Sequence, residues 1–233
     1  MAKMDDRRAK VEAMREEDRR KAGRRRNVTI SLSVIGAFVV AIAVIFAVTR
    51  PSAPIDSPQA LRPDSHRLQT APDGRVTLVE FLDFECEGCK AYFPVVEQLR
   101  KDYAGKVTFV ARYFPISSHF NAERAARAVE AAARQGKFEA MYKRMYETQE
   151  TWAEKKIPAD TVFRDHAKAL GLDLAAWDKA YADPATLARI KKDAADGTAL
   201  GVQGTPTFFL NGKKIEPRSA EEFKEAIDAA LAS

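Results

Sequence analysis

Val76-Thr77-Leu78-Val79-Glu80-Phe81-Leu82-Asp83-Phe84-Glu85-Cys86-Glu87-Gly88-Cys89 decides the reading of this chain: an apolar strand runs straight into a Cys-x-x-Cys pair. These are the only two cysteines among 233 residues. A β-branched and aromatic run, two cysteines and then a helix-patterned segment place the first thiol at a helix N-terminus. There the unpaired backbone N–H groups and the positive end of the dipole favour a thiolate, the form that exchanges disulfides. Two blander readings compete. A structural disulfide closing so small a ring removes little chain entropy. Zinc asks for four ligands, while His66, His119 and His166 are scattered. The residues point to a redox pair.

Working outward, Asp73-Gly74 marks the turn into a strand over 76–82. The Cys-x-x-Cys helix then runs to about Tyr103, kinked at Pro94 and stopped at Gly105. Val107 to Phe114 (VTFVARYF) reads as a second strand, so the unit is a parallel βαβ pair. From Asn121 the pattern turns helical: 122–134, the segment carrying Phe138, Met141, Met145 and Tyr146, then 159–170, 174–181 after Asp173, and 184–200 after Asp183. The strand signal returns in Thr207-Phe208-Phe209-Leu210, turns at Asn211-Gly212 into 213–216, and a capping box of Ser219 and Glu222 opens a last helix to about Leu231. The chain ends as a ββα unit. His119 and His166 read as packing residues, and Trp152 and Trp177 as core or rim.

The amino-terminal part is different. The chain has 38 Lys/Arg and 33 Asp/Glu, and residues 1–26 hold 11 and 6 of them, leaving 27 of each sign in the remainder. The basic pI of about 9.1 therefore belongs to a tail, and nucleic acid is not the expected partner. Val28 to Val48 is an uncharged run of 21 residues. At about 1.5 Å per residue it matches a bilayer core of roughly 30 Å. With Lys and Arg crowding its N-terminal flank, the positive-inside rule sets 1–27 in the cytoplasm and everything after the span outside. A cleaved signal peptide has a shorter apolar region, so an uncleaved signal anchor is expected. Residues 49–72, rich in Pro, Ser and Asp, read as an exposed tether in which His66 has no role, and 73–233 as the folded domain.

The order of these features resembles the DsbA family of extracytoplasmic thiol–disulfide oxidoreductases, over roughly Arg75 to Leu231. The resemblance implies an α/β thioredoxin fold with a helical insertion, about 118–200, between its βαβ and ββα halves, preceded here by one transmembrane helix. Glu80, six before Cys86, falls on the buried acid of the central strand. Pro94 falls on the kink proline. Thr205-Pro206 falls on the dipeptide whose proline is cis beside the disulfide. The same resemblance implies a Cys86–Cys89 pair without cofactor or metal, Cys86 meeting substrate, Cys89 resolving, Glu80 moving a proton, and Thr205 and Pro206 holding an extended substrate segment. The implied partners are unfolded exported proteins with free cysteines and a quinone-linked membrane reoxidant of DsbB or VKOR type. The chain departs from DsbA between the cysteines, where Glu87-Gly88 replaces a Pro-His that stabilises the thiolate. A reductase or isomerase of the same fold, a Cu(I)-binding chaperone using the two thiols, and a silent adaptor are the other readings.

Overall fold

The computed structural model describes residues 59–233. Five strands form one mixed sheet: β1 (His66–Gln69), β2 (Val76–Leu82), β3 (Val107–Tyr113), β4 (Thr207–Leu210) and β5 (Lys213–Ile215), in the spatial order β1-β3-β2-β4-β5. Only β2 and β3 are parallel, joined through α1 (Glu87–Asp102), and the other neighbours are antiparallel. β2 is central, and six of its seven residues are buried, as five Val, Leu and Phe residues in seven require of a strand covered on both faces. Between β3 and β4 lie α2 (Ala122–Ala133), α3 (Phe138–Glu147), a short 3-10 turn at Gln149–Thr151, α4 (Asp160–Ala169), α5 (Leu174–Ala182) and α6 (Pro184–Ala199); α7 (Ala220–Ala232) closes the chain. This is a thioredoxin-like α/β fold carrying a helical block.

Strand alternation splits the interior in two. Leu78 and Leu82 of β2, with Phe208 and Leu210 of β4, face α1, α7 and most of the helical block, where Trp152 and Trp177 are buried. Val79, Phe81 and Phe209 face the other way, with Ala60, Val110 and Val202. α6 reaches this second face at Gly197. A methyl at Gly197 would lie 2.7 Å from the Phe114 ring and 3.0 Å from the Phe81 ring, so only glycine lets the helix sit this low.

The expected tether is corrected by the structure. From residue 59 the chain is packed against the domain: Ala60, Arg62 and Ser65 are buried, and β1 is a fifth strand antiparallel to β3. The domain therefore begins by residue 59 and not at 73. The reason is a buried ionic cluster. Arg112 of β3, wholly buried, donates to the carbonyls of Gln59 (2.9 Å) and Ala60 (3.1 Å), to Asp193 Oδ1 (2.7 Å) and to Asp196 Oδ2 (2.7 Å). Arg62 takes the other oxygen of Asp196 at 2.6 Å, and Arg189 adds a second cation to Asp193. His66 is engaged too: it stacks on Phe138 at 4.0 Å, and its Nε2 lies 2.6 Å from Glu130, which also accepts from the Tyr113 hydroxyl. The tail over 1–27, the anchor over 28–48 and the tether up to 58 lie outside the described residues. Among the described residues no helix is long and apolar enough to cross a membrane.

Candidate active site

Cys86 is the N-cap residue of α1, with extended backbone (φ −70°, ψ 124°), and Cys89 lies one turn in. The approach is fixed by an acid-rich turn. Asp83 accepts at its carbonyl from Cys86 N–H (3.2 Å), and its own N–H points at Cys89 Sγ (3.4 Å). Gln149 of the 3-10 turn donates to the Phe84 (2.8 Å) and Cys86 (3.0 Å) carbonyls, so the helical block grips the turn from outside. Glu85, buried, accepts from the N–H groups of Asn121 and Glu154, and Asn121 in turn holds Ile157 O and Ala159 N–H. Among the described residues both thiols are free, Cys89 fully buried and Cys86 part exposed.

The two thiols are made unequal. Cys86 is lowered to about 5, first by the Cys89 thiol, then against a cost of burial by Thr205 and the N–H groups of Cys89 and Gly88. Those last two are the free donors of a helix start. Cys89 is pushed well above the usual range by burial, by its bond to Cys86 and by the charges of Glu80 and Cys86. At neutral pH the outer sulfur is thus a thiolate and the inner one a thiol.

Thr205 and Pro206 face the pair from the other side. Their peptide bond is cis, and Cys86 Sγ lies 3.3 Å from Thr205 O. Gly88 keeps the gap narrow, for a methyl there would be 3.3 Å from Pro206 Cδ and 3.5 Å from Cys86 Sγ. Beyond Pro206 opens a groove of about 330 Å³ lined by Tyr92, Phe208, Lys214, Pro217 and Arg218 among others. Pro94 lies inside α1, which runs on past it.

Glu80 sits on β2 opposite Ala111 and Phe208, 5% exposed, and makes no hydrogen bond or ion pair among the described residues. Burial, then the Cys86 and Glu97 charges, raise it to about 8. A carboxyl near 4.5 when unfolded and about 8 when folded ionises first in the unfolded chain, so ionisation opposes folding increasingly from pH 4.5 up to about 8. At pH 7 the opposition is on the order of 3 kcal/mol. Glu80→Gln should therefore melt higher than the wild type at pH 7 and coincide with it at pH 4. An equal difference at both pH values would show that Glu80 is not held protonated.

Sequence pattern alone does not single out Asp83, Glu85, Asn121 or Gln149, and it assigns His119 to packing. Asp83 and Glu85 interrupt the apolar run beside the thiol pair, but acids are mostly exposed, so their burial is not legible there. Asn121 and Gln149 carry no signal, being brought in by the helical block from 35 or more positions away. Among the described residues no group of three or more His, Cys, Asp or Glu gathers as a metal site.

Residues 65–229 match the Thioredoxin family. The chain is 35% identical over 181 residues to the Na(+)/H(+) antiporter NhaA 3 of Salinispora tropica, covering 77% of this chain and 27% of the antiporter. It is 30% identical over 212 residues to NhaA 1 of Mycolicibacterium gilvum, covering 85% and 33%. The chain thus spans about a quarter to a third of the length of these curated relatives. Among solved structures, it is similar to a thioredoxin-like oxidoreductase from Silicibacter pomeroyi (TM-score 0.64, 29% identity, 78% of this chain and 99% of that one). It shares its fold with α-DsbA1 of Wolbachia pipientis (0.66, 19%, 74% and 93%) and oxidised BdbD of Bacillus subtilis (0.66, 22%, 76% and 98%).

Proposed function

The chain belongs to the thioredoxin family, and from that footing we propose that it is a DsbA-like thiol–disulfide oxidoreductase that introduces disulfides into exported proteins through Cys86 and Cys89. The observation that carries this reading is the inequality of the two sulfurs, one lowered to about 5 and the other raised by burial. In the oxidising direction a substrate thiolate attacks Cys86 Sγ of the Cys86–Cys89 disulfide. The S–S bond breaks, and Cys89 leaves and takes up a proton. A second substrate thiolate then attacks the substrate sulfur of the mixed disulfide, expelling Cys86 as thiolate. The substrate loses two electrons and the pair gains them. A thiol with so low a pKa is a good leaving group in that last step, which favours donation of the disulfide.

Glu80 serves the same sequence as proton carrier for Cys89. While Cys86 is bound in the mixed disulfide its charge is gone, which removes the second cause of the raised Glu80 pKa. The carboxyl then titrates lower than it does beside the Cys86 thiolate, so it gives up its proton to the departing Cys89 sulfur more readily. Thr205 O and Pro206, with the groove beyond them, receive the substrate segment beside the reacting sulfur. Residues 28–48 anchor the chain as a signal anchor, with 1–27 cytoplasmic and the catalytic domain outside, and a quinone-linked membrane partner of DsbB or VKOR type restores the disulfide; no other cofactor is called for.

One observation favours the reducing or isomerising direction: Glu87 sits in the first turn of α1, where its charge repels a Cys86 thiolate. The full chain in detergent, equilibrated with glutathione buffers, separates the two. A potential near the roughly −120 mV of a strong oxidant is expected; a value near roughly −270 mV would overturn disulfide donation and assign the protein to the reductases.

A further inference from the structure

No cation stands between the two cysteines, where the chain has Glu87-Gly88. The fold brings one from another loop. His119 lies between β3 and α2, its side chain 23% exposed, and its Nδ1 is 2.7 Å from Oδ2 of the wholly buried Asp83 carboxylate. That carboxylate is not free to turn: Oδ1 accepts from Glu85 N–H (2.8 Å) and Oδ2 from Ile116 N–H (2.9 Å). Through its backbone the same residue meets both sulfur-bearing residues, accepting from Cys86 N–H and donating to Cys89 Sγ. The imidazole is therefore fixed to the one residue that is bonded to both halves of the redox pair.

Burial raises Asp83 to about 6, against its bonds from Ile116, Glu85 and His119. Burial lowers His119, but the bond and charge of Asp83, then the charges of Cys86 and Glu85, bring it above its ordinary value. From about pH 6 up to that raised value the two stand as carboxylate and imidazolium. The imidazole touches Asp83 of the turn, and the charges that bear on it beyond that contact are those of Cys86 at the start of α1 and Glu85 of the turn. From α3, Tyr146 places its hydroxyl 3.5 Å from the Asp83 carbonyl.

We propose that His119 is a positioning residue for the redox pair: held by Asp83, it supplies from the β3–α2 loop the positive charge that stabilises the Cys86 thiolate and makes the Cys86–Cys89 disulfide a stronger oxidant. The inference rests on the reading of Cys86 as the reactive thiolate. A cation near a thiolate stabilises the reduced state, and whatever stabilises the reduced state raises the potential.

Two variants test it in the full chain. His119→Gln keeps a donor for Asp83 and loses the charge, whereas His119→Lys keeps the charge and loses the ring. Cys86 thiolate is followed by its ultraviolet absorbance against pH, and the potential by equilibration with glutathione at pH 7. The expected result is that H119Q raises the Cys86 pKa by about one unit. The equilibrium constant for oxidising glutathione then falls about tenfold, equivalent to about 30 mV. H119K should stay within about threefold of the wild type. If H119Q leaves both readouts within twofold, or if H119K falls as far as H119Q, the imidazole only pins the loop and the proposal fails. A wild-type Cys86 titrating as an ordinary thiol would instead remove the reading beneath it, and this inference with it. A low wild-type value unmoved by H119Q removes the inference alone.

Discussion

Cys86→Ser abolishes disulfide exchange, with a rate loss of at least about a hundredfold at pH 7. With Cys86 at about 5 nearly all of it is thiolate, whereas Cys89, pushed well above 9, offers about 1% thiolate or less, and that fraction is buried. The surviving sulfur can therefore neither meet a substrate nor leave from one. Cys89→Ser behaves otherwise: Cys86 still captures a cysteine-containing peptide presented as a mixed disulfide, but nothing expels the peptide and the adduct accumulates. Gel-shift detection of the adduct and turnover assays of both variants read the two outcomes. Retention of more than a tenth of the activity by C86S, with its loss in C89S, would invert the order of the two sulfurs.

Arg112→Met costs about 3–5 kcal/mol of stability, the range for breaking a buried ion pair by removing one partner. For a chain of this size that lowers the melting temperature by roughly 6–20 °C. The length of the side chain is nearly kept, so lost packing contributes little. What is lost is the charge facing Asp193, itself fully buried, and Asp196, together with the donors to the Gln59 and Ala60 carbonyls. Circular dichroism melts give the magnitude, and a double cycle with Asp193→Leu gives the mechanism. Removing both partners should cost less than the sum of the single changes, because neither charge is then left unmatched. Strict additivity would show that Arg112 stabilises the sheet by packing alone.

How far the sequence can be read depends on the range over which each interaction acts. The limits of β2 and the starts of α5 and α6 are legible because their signals are local: a dense cluster of Val, Leu and Phe, and Asp173 and Asp183 whose side chains cap Ala176 and Ala185 N–H. Ser219 caps Glu222 N–H as its pattern implies, yet the Glu222 carboxylate bonds to Arg218 N–H, one residue earlier than a full capping box requires. β1 is hidden because HRLQ has no β-branched residue and one buried position, and is held by side chains reaching it from α1, α2 and α3. The cysteines, Glu80 and Thr205-Pro206 are found by their order along the chain. Asp83 and His119, 36 positions apart, are paired only by the loop leaving β3.

The difference between an outer sulfur at a helix start and an inner one beneath it fixes a proton inventory. Counting the sulfurs alone, reduction above about pH 5 takes up one proton for two electrons, since Cys86 stays ionised while Cys89 is protonated. The potential then falls by about 30 mV per pH unit, half the slope of an ordinary dithiol, which takes up two protons. Each unit of acidification therefore narrows the gap between this disulfide and the thiols it would oxidise by about 30 mV, until near pH 5 the slopes become equal. The margin by which the Cys86–Cys89 disulfide can oxidise ordinary thiols is therefore wider at neutral pH than in acid, without any change in the fold.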